Sequence, residues 1–169
     1  MKKNILLIGG SHGIGFSIAS ELNQNHNVFV ASRTNEGLDD LSVTHIPFNA
    51  LTDDLDMSLL PDDIHGFAYC PGSINLKPFK MMSLETFHED MQLNFFGLVK
   101  VVKAIVPRMT ESSSMVFFST VAVGTGMPFH TSVAAAKGAI EGFAKSMAAE
   151  YAPKIRVNVI APSLSRIPV

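Results

Sequence analysis

The sequence is poor in several residue types, and each scarcity excludes a class of protein. It has one cysteine, no tryptophan and two tyrosines among 169 residues, with a formal net charge of −2. The single cysteine, Cys70, excludes an intramolecular disulfide and favours a reducing, cytoplasmic location. No basic patch indicates a nucleic acid partner, and no apolar stretch is long enough to cross a membrane. The scattered histidines lack metal-ligand spacing, so we expect no metal site.

Hydrophobic residues make up 47% of the chain, which is ample for a buried core. Short apolar runs alternate with helical patterns and lie at 5–8, 27–33, 44–50, 64–72, 114–123 and 155–163. Several of these runs are continuous, which is typical of strands buried on both faces of a parallel sheet.

Two longer segments, from about 84 to 109 and from about 132 to 151, carry apolar residues at helical spacing. The acidic segment 34–63 is interpreted as short helices with a solvated face. Strands alternating with helices predict an α/β fold, a doubly wound parallel sheet of the Rossmann type with about six strands. We expect a single domain over residues 1–169.

A glycine-rich segment follows the first apolar run and precedes a helical pattern. Its glycines are spaced G-x-x-x-G-x-G, starting at Gly9. Glycine is needed where the backbone takes positive φ or lets a ligand approach closely, and a helix N-terminus offers free N–H groups to a phosphate. The segment is therefore a candidate site for a dinucleotide pyrophosphate. Its candidate residues are Gly9, Ser11, His12, Gly13, Ile14 and Gly15.

Several separated motifs together resemble the short-chain dehydrogenase/reductase family of the classical type, over essentially the whole chain. The glycine turn matches the family's Thr-Gly-x-x-x-Gly-x-Gly with Ile8 in place of threonine. Asn94 in MQLNFFG matches the family's helix asparagine, and VFFSTVAVG matches its serine-bearing strand. Ala161-Pro162-Ser163 matches its Pro-Gly turn, with serine for glycine. The resemblance implies an NADP(H)-dependent oxidoreductase that acts on a small carbonyl or alcohol substrate.

The resemblance also implies features outside the site. Family members pair two helices across a two-fold axis, so we expect a homodimer or homotetramer through segments 84–109 and 132–151. They usually add a substrate lid, another helix and a last strand beyond the point that corresponds to Val169. We therefore expect the C-terminal part of the domain to be absent from this chain.

The family's catalytic residues map onto four positions here. A serine holds the carbonyl oxygen, a tyrosine transfers the proton, a lysine four residues later lowers the tyrosine pKa and holds the ribose, and an asparagine supports a water. The matching residues are Thr120, Val133, Lys137 and Asn94. Valine carries no transferable proton, so the resemblance implies that the usual donor is missing.

Three alternatives follow from Val133. The first is a slow reductase with another donor, such as water, Ser132 or His130. The second is an inactive NADPH-binding regulatory or scaffold protein. The third is an active enzyme in which valine has been engineered in place of tyrosine.

The resemblance implies the remaining cofactor contacts. Arg33 resembles the family's selector for a 2′-phosphate, and no acidic residue occupies 31–34 to hold a free 2′-hydroxyl. His12 lies where NADP-preferring relatives often carry a basic residue. Asn49 takes the place of an aspartate that meets adenine, and Gly72 keeps a glycine that passes close to the cofactor. Two further candidate contacts are Lys137 and Pro162.

Overall fold

Parallel strands form one sheet at the centre of the fold, in a computed structural model that describes residues 1–163. The strands are β1 (Asn4–Ile8), β2 (Asn27–Ser32), β3 (Val43–Pro47), β4 (Ile64–Tyr69), β5 (Met109–Phe118) and β6 (Ile155–Ile160). They pair in the order β3-β2-β1-β4-β5-β6, and every pairing is parallel. The prediction of a doubly wound parallel sheet of six strands is confirmed. Because the order reverses between β1 and β4, a crevice opens at the carboxyl ends of these strands.

Helices cover both faces of the sheet. They are α1 (Gly13–Leu22), α2 (Leu84–Met91), α3 (Gly97–Ile105), α4 (Val121–Thr125) and α5 (Thr131–Tyr151). The neighbours Leu6 and Leu7 in β1 are 1% and 0% exposed. Successive strand residues point to opposite faces, so both faces are covered at this strand. This explains why its apolar run is continuous rather than alternating.

The helix predicted over 84–109 is wrong as a single element. A π-helical segment, Gln92–Phe96, separates α2 from α3, and β5 begins at Met109. The π turn displaces carbonyl groups from the helical ladder, and the hydroxyl of Tyr69 donates to the carbonyl of Leu93 at 2.7 Å. Pro107 lies in the 3₁₀ turn that follows α3. A proline has no N–H to continue the ladder.

The acidic segment 34–63 does not form the expected short helices. It contains β3 and one 3₁₀ turn, Met57–Leu59. Its acidic side chains cap turns, because Asp53 accepts from the N–H of Asn49 at 2.8 Å and Asp56 accepts from that of Ser58 at 2.9 Å. Such bonds favour turns over a helix. Three leucines of the segment are buried: Leu38, Leu55 and Leu60.

No helix in residues 1–163 combines the length and apolar character that crossing a bilayer requires. Within the same residues no group of three or more His, Cys, Asp or Glu side chains could hold a metal ion.

Candidate active site

The glycine turn joins β1 to α1 at the crevice. Gly9 and Gly13 have φ of +77° and +58°, which side chains rarely tolerate. A Cβ on Gly15 would lie 2.2 Å from the carbonyl oxygen of Gly9, so only glycine lets the helix start this close to the strand. His12 precedes α1 without a side-chain capping bond. The first N–H groups of α1 thus keep the capacity to bind an anion at the crevice.

A cavity of about 300 Å³ lies beside this turn, at the carboxyl ends of β1, β2 and β4. Six of the predicted cofactor residues line it: Gly9, Ser11, His12, Arg33, Asn49 and Gly72. We call this space the adenosine cavity. The side chain of Arg33 is exposed at its rim. The fold therefore brings predicted residues from four separate segments of the chain to the wall of one cavity.

Asn49 is held by an Asx turn inside the adenosine cavity. Its Oδ1 accepts from the N–H of Leu51 at 3.1 Å, and its own N–H donates to Asp53 at 2.8 Å. The bond from Leu51 uses one of the two lone pairs of the side-chain oxygen, and the amide nitrogen of Asn49 can donate to a ligand.

Glu36 lies near this cavity, and the sequence analysis did not predict it. Its carboxylate is 3.7 Å from Nε2 of His12, whose Nδ1 lies 3.0 Å from Oγ of Ser11. The negative charge of Glu36 would repel a phosphate group bound to His12. Its carboxylate could instead accept a hydrogen bond from a ribose hydroxyl. Glu36 lies two positions beyond residues 31–34, the segment in which an acidic residue for the ribose is expected.

A second cavity, of about 430 Å³, brings Thr120, Val133 and Lys137 together. Ile14 and Pro162 also line it, and it shares Cys70 and Gly72 with the adenosine cavity. We call it the catalytic cavity. Because the two cavities share lining residues, they lie side by side at the carboxyl edge of the sheet, and we call the pair the groove.

Two adjacent hydroxyl groups lie at the end of β5, and only one is available to a ligand. Ser119 donates to a carboxylate oxygen of Glu141 at 2.6 Å. Thr120 caps α4, because its Oγ1 accepts from the N–H of Ala122 at 3.3 Å. That bond leaves the hydroxyl hydrogen of Thr120 to donate into the catalytic cavity. The arrangement can polarise a carbonyl oxygen.

Val133 lies one helical turn before Lys137 on α5 and presents an apolar wall to the catalytic cavity. Tyr69 offers no phenol to this cavity, because its hydroxyl donates to the carbonyl of Leu93 and burial raises its pKa. Ser132 donates to Asp90 in the protein interior. His130 lines the cavity, with Nδ1 at 2.7 Å from the carbonyl of Pro128.

Lys137 is 8% exposed, and its burial lowers its pKa to about 8, against the opposing influence of Cys70 and Asp90. Burial also raises the pKa of the Cys70 thiol to about 12, so this thiol is neutral. A Cβ on Gly72 would lie 3.5 Å from both Nζ of Lys137 and Oδ1 of Asn94. The glycine therefore leaves open space where an ammonium group and an amide oxygen converge.

Comparisons with known proteins agree with this architecture. A family model described as enoyl-(acyl carrier protein) reductase matches residues 48–169. The crystal structure of a short-chain dehydrogenase/reductase, glucose/ribitol dehydrogenase, from Brucella melitensis matches with a TM-score of 0.89 at 26% identity, covering 99% of this chain and 77% of that chain. The chain belongs to the short-chain dehydrogenase/reductase family. Members of this oxidoreductase family use NAD(P) cofactors.

Two further relatives define how far the likeness extends. Hydroxynaphthalene reductase of Aspergillus fumigatus is 29% identical over 95% of this chain, which spans 66% of that enzyme's length. A short-chain dehydrogenase of Shigella flexneri complexed with NADP has a TM-score of 0.89 at 23% identity, covering 98% of this chain and 78% of that one. The chain thus spans just under two thirds of the curated reductase.

Replacing Lys137 with methionine is expected to raise the free energy of unfolding at about pH 7 by about 1 kcal/mol or more, because the variant no longer buries an ammonium group. Unfolding returns the lysine pKa from about 8 to 10.5. Between these values the unfolded state binds more protons, so the stability of the unmodified protein rises with pH. The advantage of the variant therefore shrinks toward pH 10.5. Urea denaturation at about pH 7 and pH 9.5 measures both values.

Lys145→Met is the matched control, because Lys145 is exposed on the same helix. The Lys145→Met variant should change the free energy of unfolding only slightly, and by the same amount at both pH values. A Lys137→Met protein less stable than the unmodified one at pH 7 would contradict the expectation.

Proposed function

We propose that this chain is the cofactor-binding part of an NADP(H)-dependent oxidoreductase with impaired proton transfer to a carbonyl or alcohol substrate. One observation carries the proposal. The glycine turn lines one of two adjacent cavities, and Thr120 and Lys137 line the other, with Val133 at the position of the usual donor. The Aspergillus relative, named as a hydroxynaphthalene reductase, and the NADP bound to the Shigella relative support it. We also propose a cytoplasmic location, in line with the single cysteine.

Each residue of the groove has a distinct task in this proposal. The N–H groups at the start of α1 hold the pyrophosphate, and the guanidinium of Arg33 pairs with the 2′-phosphate. The ammonium of Lys137 binds the ribose hydroxyls, and the hydroxyl of Thr120 donates to the substrate oxygen. A nicotinamide bound beside them supplies or accepts a hydride. Hydride addition leaves an alkoxide, which needs a proton donor within hydrogen-bond reach.

Arg33→Asp is expected to reverse a preference for NADPH over NADH of about tenfold or more, or about 1.4 kcal/mol. The physical reason is the loss of a charge-assisted bond to the 2′-phosphate and the gain of an acceptor for the 2′-hydroxyl. Fluorescence titration with both cofactors measures the ratio.

Arg156→Asp serves as the control, since it removes an exposed arginine of β6 on another strand. Its cofactor ratio should equal that of the unmodified protein. Glu36→Gln should favour NADPH further, because it removes a carboxylate beside His12. Equal affinity of the unmodified protein for both cofactors would refute the proposed selectivity.

Val133→Tyr is expected to raise the rate of carbonyl reduction about 100-fold or more, the usual value of a positioned acid. Lys137→Ala in that background should remove the gain, because a phenol with pKa near 10 needs a neighbouring cation at neutral pH. Steady-state NADPH oxidation against a panel of carbonyl compounds measures both rates.

Val133→Phe is the matched control, because it adds the ring without the hydroxyl. It should give no gain in rate. A native protein that already turns over at about 10 s⁻¹ and a tyrosine variant that is no faster would show that another acid, such as His130, serves the site.

Val133 also favours a second candidate function, an NADPH-binding regulatory or scaffold protein. An apolar wall in place of the donor is compatible with binding and incompatible with efficient proton transfer. This alternative predicts tight NADPH binding and no turnover in the native chain on any carbonyl tested. The same measurements therefore separate the two functions.

We further propose that the protein assembles as a homodimer or homotetramer through α2, the π segment, α3 and α5. Leu84 and Phe96 are 72% and 50% exposed on these elements. Large apolar side chains left exposed on a helical surface favour association.

Phe96→Asp is expected to shift the mass toward the monomer, because it places a charge in the proposed interface. Light scattering at micromolar concentration measures the mass. Phe79→Asp is the control, since Phe79 is 70% exposed but lies outside these elements. A monomeric mass for the unmodified protein would contradict the proposal.

A further inference from the structure

Asp90 forms a buried polar cluster that the sequence motifs do not include. It lies near the end of α2 and is 0% exposed. Its Oδ1 accepts from Oγ of Ser73 at 2.5 Å and from Nδ2 of Asn75 at 2.8 Å. Its Oδ2 accepts from Oγ of Ser132. The carboxyl group thus joins α2 to the loop after β4 and to the first turn of α5.

Hydrogen-bond donors fix the direction of the bonds around Ser73 and Asn94. Nδ2 of Asn94 donates to Oγ of Ser73 at 2.8 Å, so the hydroxyl hydrogen of Ser73 is directed to Asp90. The other hydrogen of Nδ2 is directed to the backbone carbonyl of Asp90, also at 2.8 Å. Asp90 therefore accepts bonds from Ser73 and Asn75, as a carboxylate does.

These bonds also determine which way the amide of Asn94 faces. Because both hydrogens of its Nδ2 are used, its Oδ1 faces the opposite side, where it has no partner within residues 1–163. That side is Gly72, next to which Nζ of Lys137 also lies. A flipped amide would direct N–H groups at the ammonium and the oxygen at a carbonyl. The cluster thus holds an acceptor toward Lys137.

The groups that influence the charge of Lys137 come from several elements. Cys70 follows β4 and is neutral, and Asp90 acts on Lys137 from α2. Glu141 lies one turn further along α5, and its carboxylate accepts the hydroxyl of Ser119. His130 lines the same cavity at the start of α5. Among these groups Cys70 and Asp90 raise the pKa of Lys137 against the effect of its burial, and Asp90 is the carboxyl group of the two.

We propose that Asp90 is a positioning residue of the catalytic cavity: it supplies the buried counter-charge of Lys137 and, through Ser73, turns the amide oxygen of Asn94 toward that ammonium. Val133 lies one turn before Lys137, and no phenol oxygen lies beside the lysine within residues 1–163. In this proposal the cluster around Asp90 helps to orient the lysine side chain instead. Only the effect on catalysis rests on the function proposed above. The charge of Lys137 and the orientation of the Asn94 amide are properties of the protein without cofactor.

The first test measures the titration of Lys137 in the protein without cofactor. The ¹³Cε signal of labelled lysine is followed against pH and assigned by its loss in Lys137→Arg. Asp90→Asn is expected to lower the midpoint by about one pH unit or more, because it removes a nearby opposite charge. Glu89→Gln, which neutralises the adjacent exposed carboxylate, should leave the midpoint unchanged. An unchanged midpoint in a folded Asp90→Asn protein overturns the proposal.

A second test uses a variant that keeps the carboxyl group of Asp90 but removes the hydroxyl that connects it to Asn94. This test remains valid if Asp90→Asn does not fold. Ser73→Ala deletes the hydroxyl between Asp90 and Asn94. The side-chain amide hydrogens of Asn94 should then exchange with solvent about tenfold faster or more, while the Lys137 midpoint stays near that of the unmodified protein. Unaltered exchange would show that Ser73 does not orient Asn94 and would overturn the positioning role.

The link to function is tested separately with NADPH. The affinity for NADPH is measured against pH in the unmodified protein and in Asp90→Asn. If the ammonium of Lys137 binds the ribose, the loss of affinity at high pH should begin about one pH unit earlier in the variant. A protein that does not bind NADPH contradicts the proposed function and leaves the two NMR results to decide the role of Asp90.

Discussion

The close approach of α1 to the end of β1 is the constraint on which the groove depends. A Cβ on Gly15 would collide with the carbonyl of Gly9, and a Cβ on Gly9 would lie 3.1 Å from the ring of Pro71 after β4. The turn, the helix start and the neighbouring strand end therefore meet without side chains between them. This contact keeps the N–H groups of α1 at the switch point of the sheet, where both cavities open.

The second determinant of the site is the burial of the Lys137 ammonium group away from solvent. Lys137 lies almost fully buried beside a valine, and its desolvation lowers its pKa. The protein offsets this cost with polar groups arranged around it rather than with a phenol. Asp90, Ser73 and Asn94 form a chain in which every donor has an assigned acceptor. Such networks hold side chains in one arrangement, because each broken bond leaves a buried polar group without a partner.

The π segment connects the fold to this chain of bonds. It contains Asn94, and its carbonyl at Leu93 is satisfied by the hydroxyl of Tyr69. π turns inside helices are frequent at functional sites because they change the direction in which a side chain leaves the helix. In this protein the turn brings the amide of Asn94 beside Gly72. The apolar spacing of 84–109 gave no indication of the break, since a π turn widens the helix without removing its apolar face.

The sequence by itself determined the elements whose cause is local. The glycine spacing predicted the turn from Gly9 to Gly15 because positive φ and close approach are properties of the residue. The apolar runs predicted a parallel sheet of about six strands, because several of them are continuous, as in strands buried on both faces. Tertiary structure alone decided the partners of polar side chains. Asp90 meets Ser73 and Ser132 across separations of 17 and 42 residues. No local pattern encodes such pairings, since they exist only once the sheet and its helices bring distant segments together.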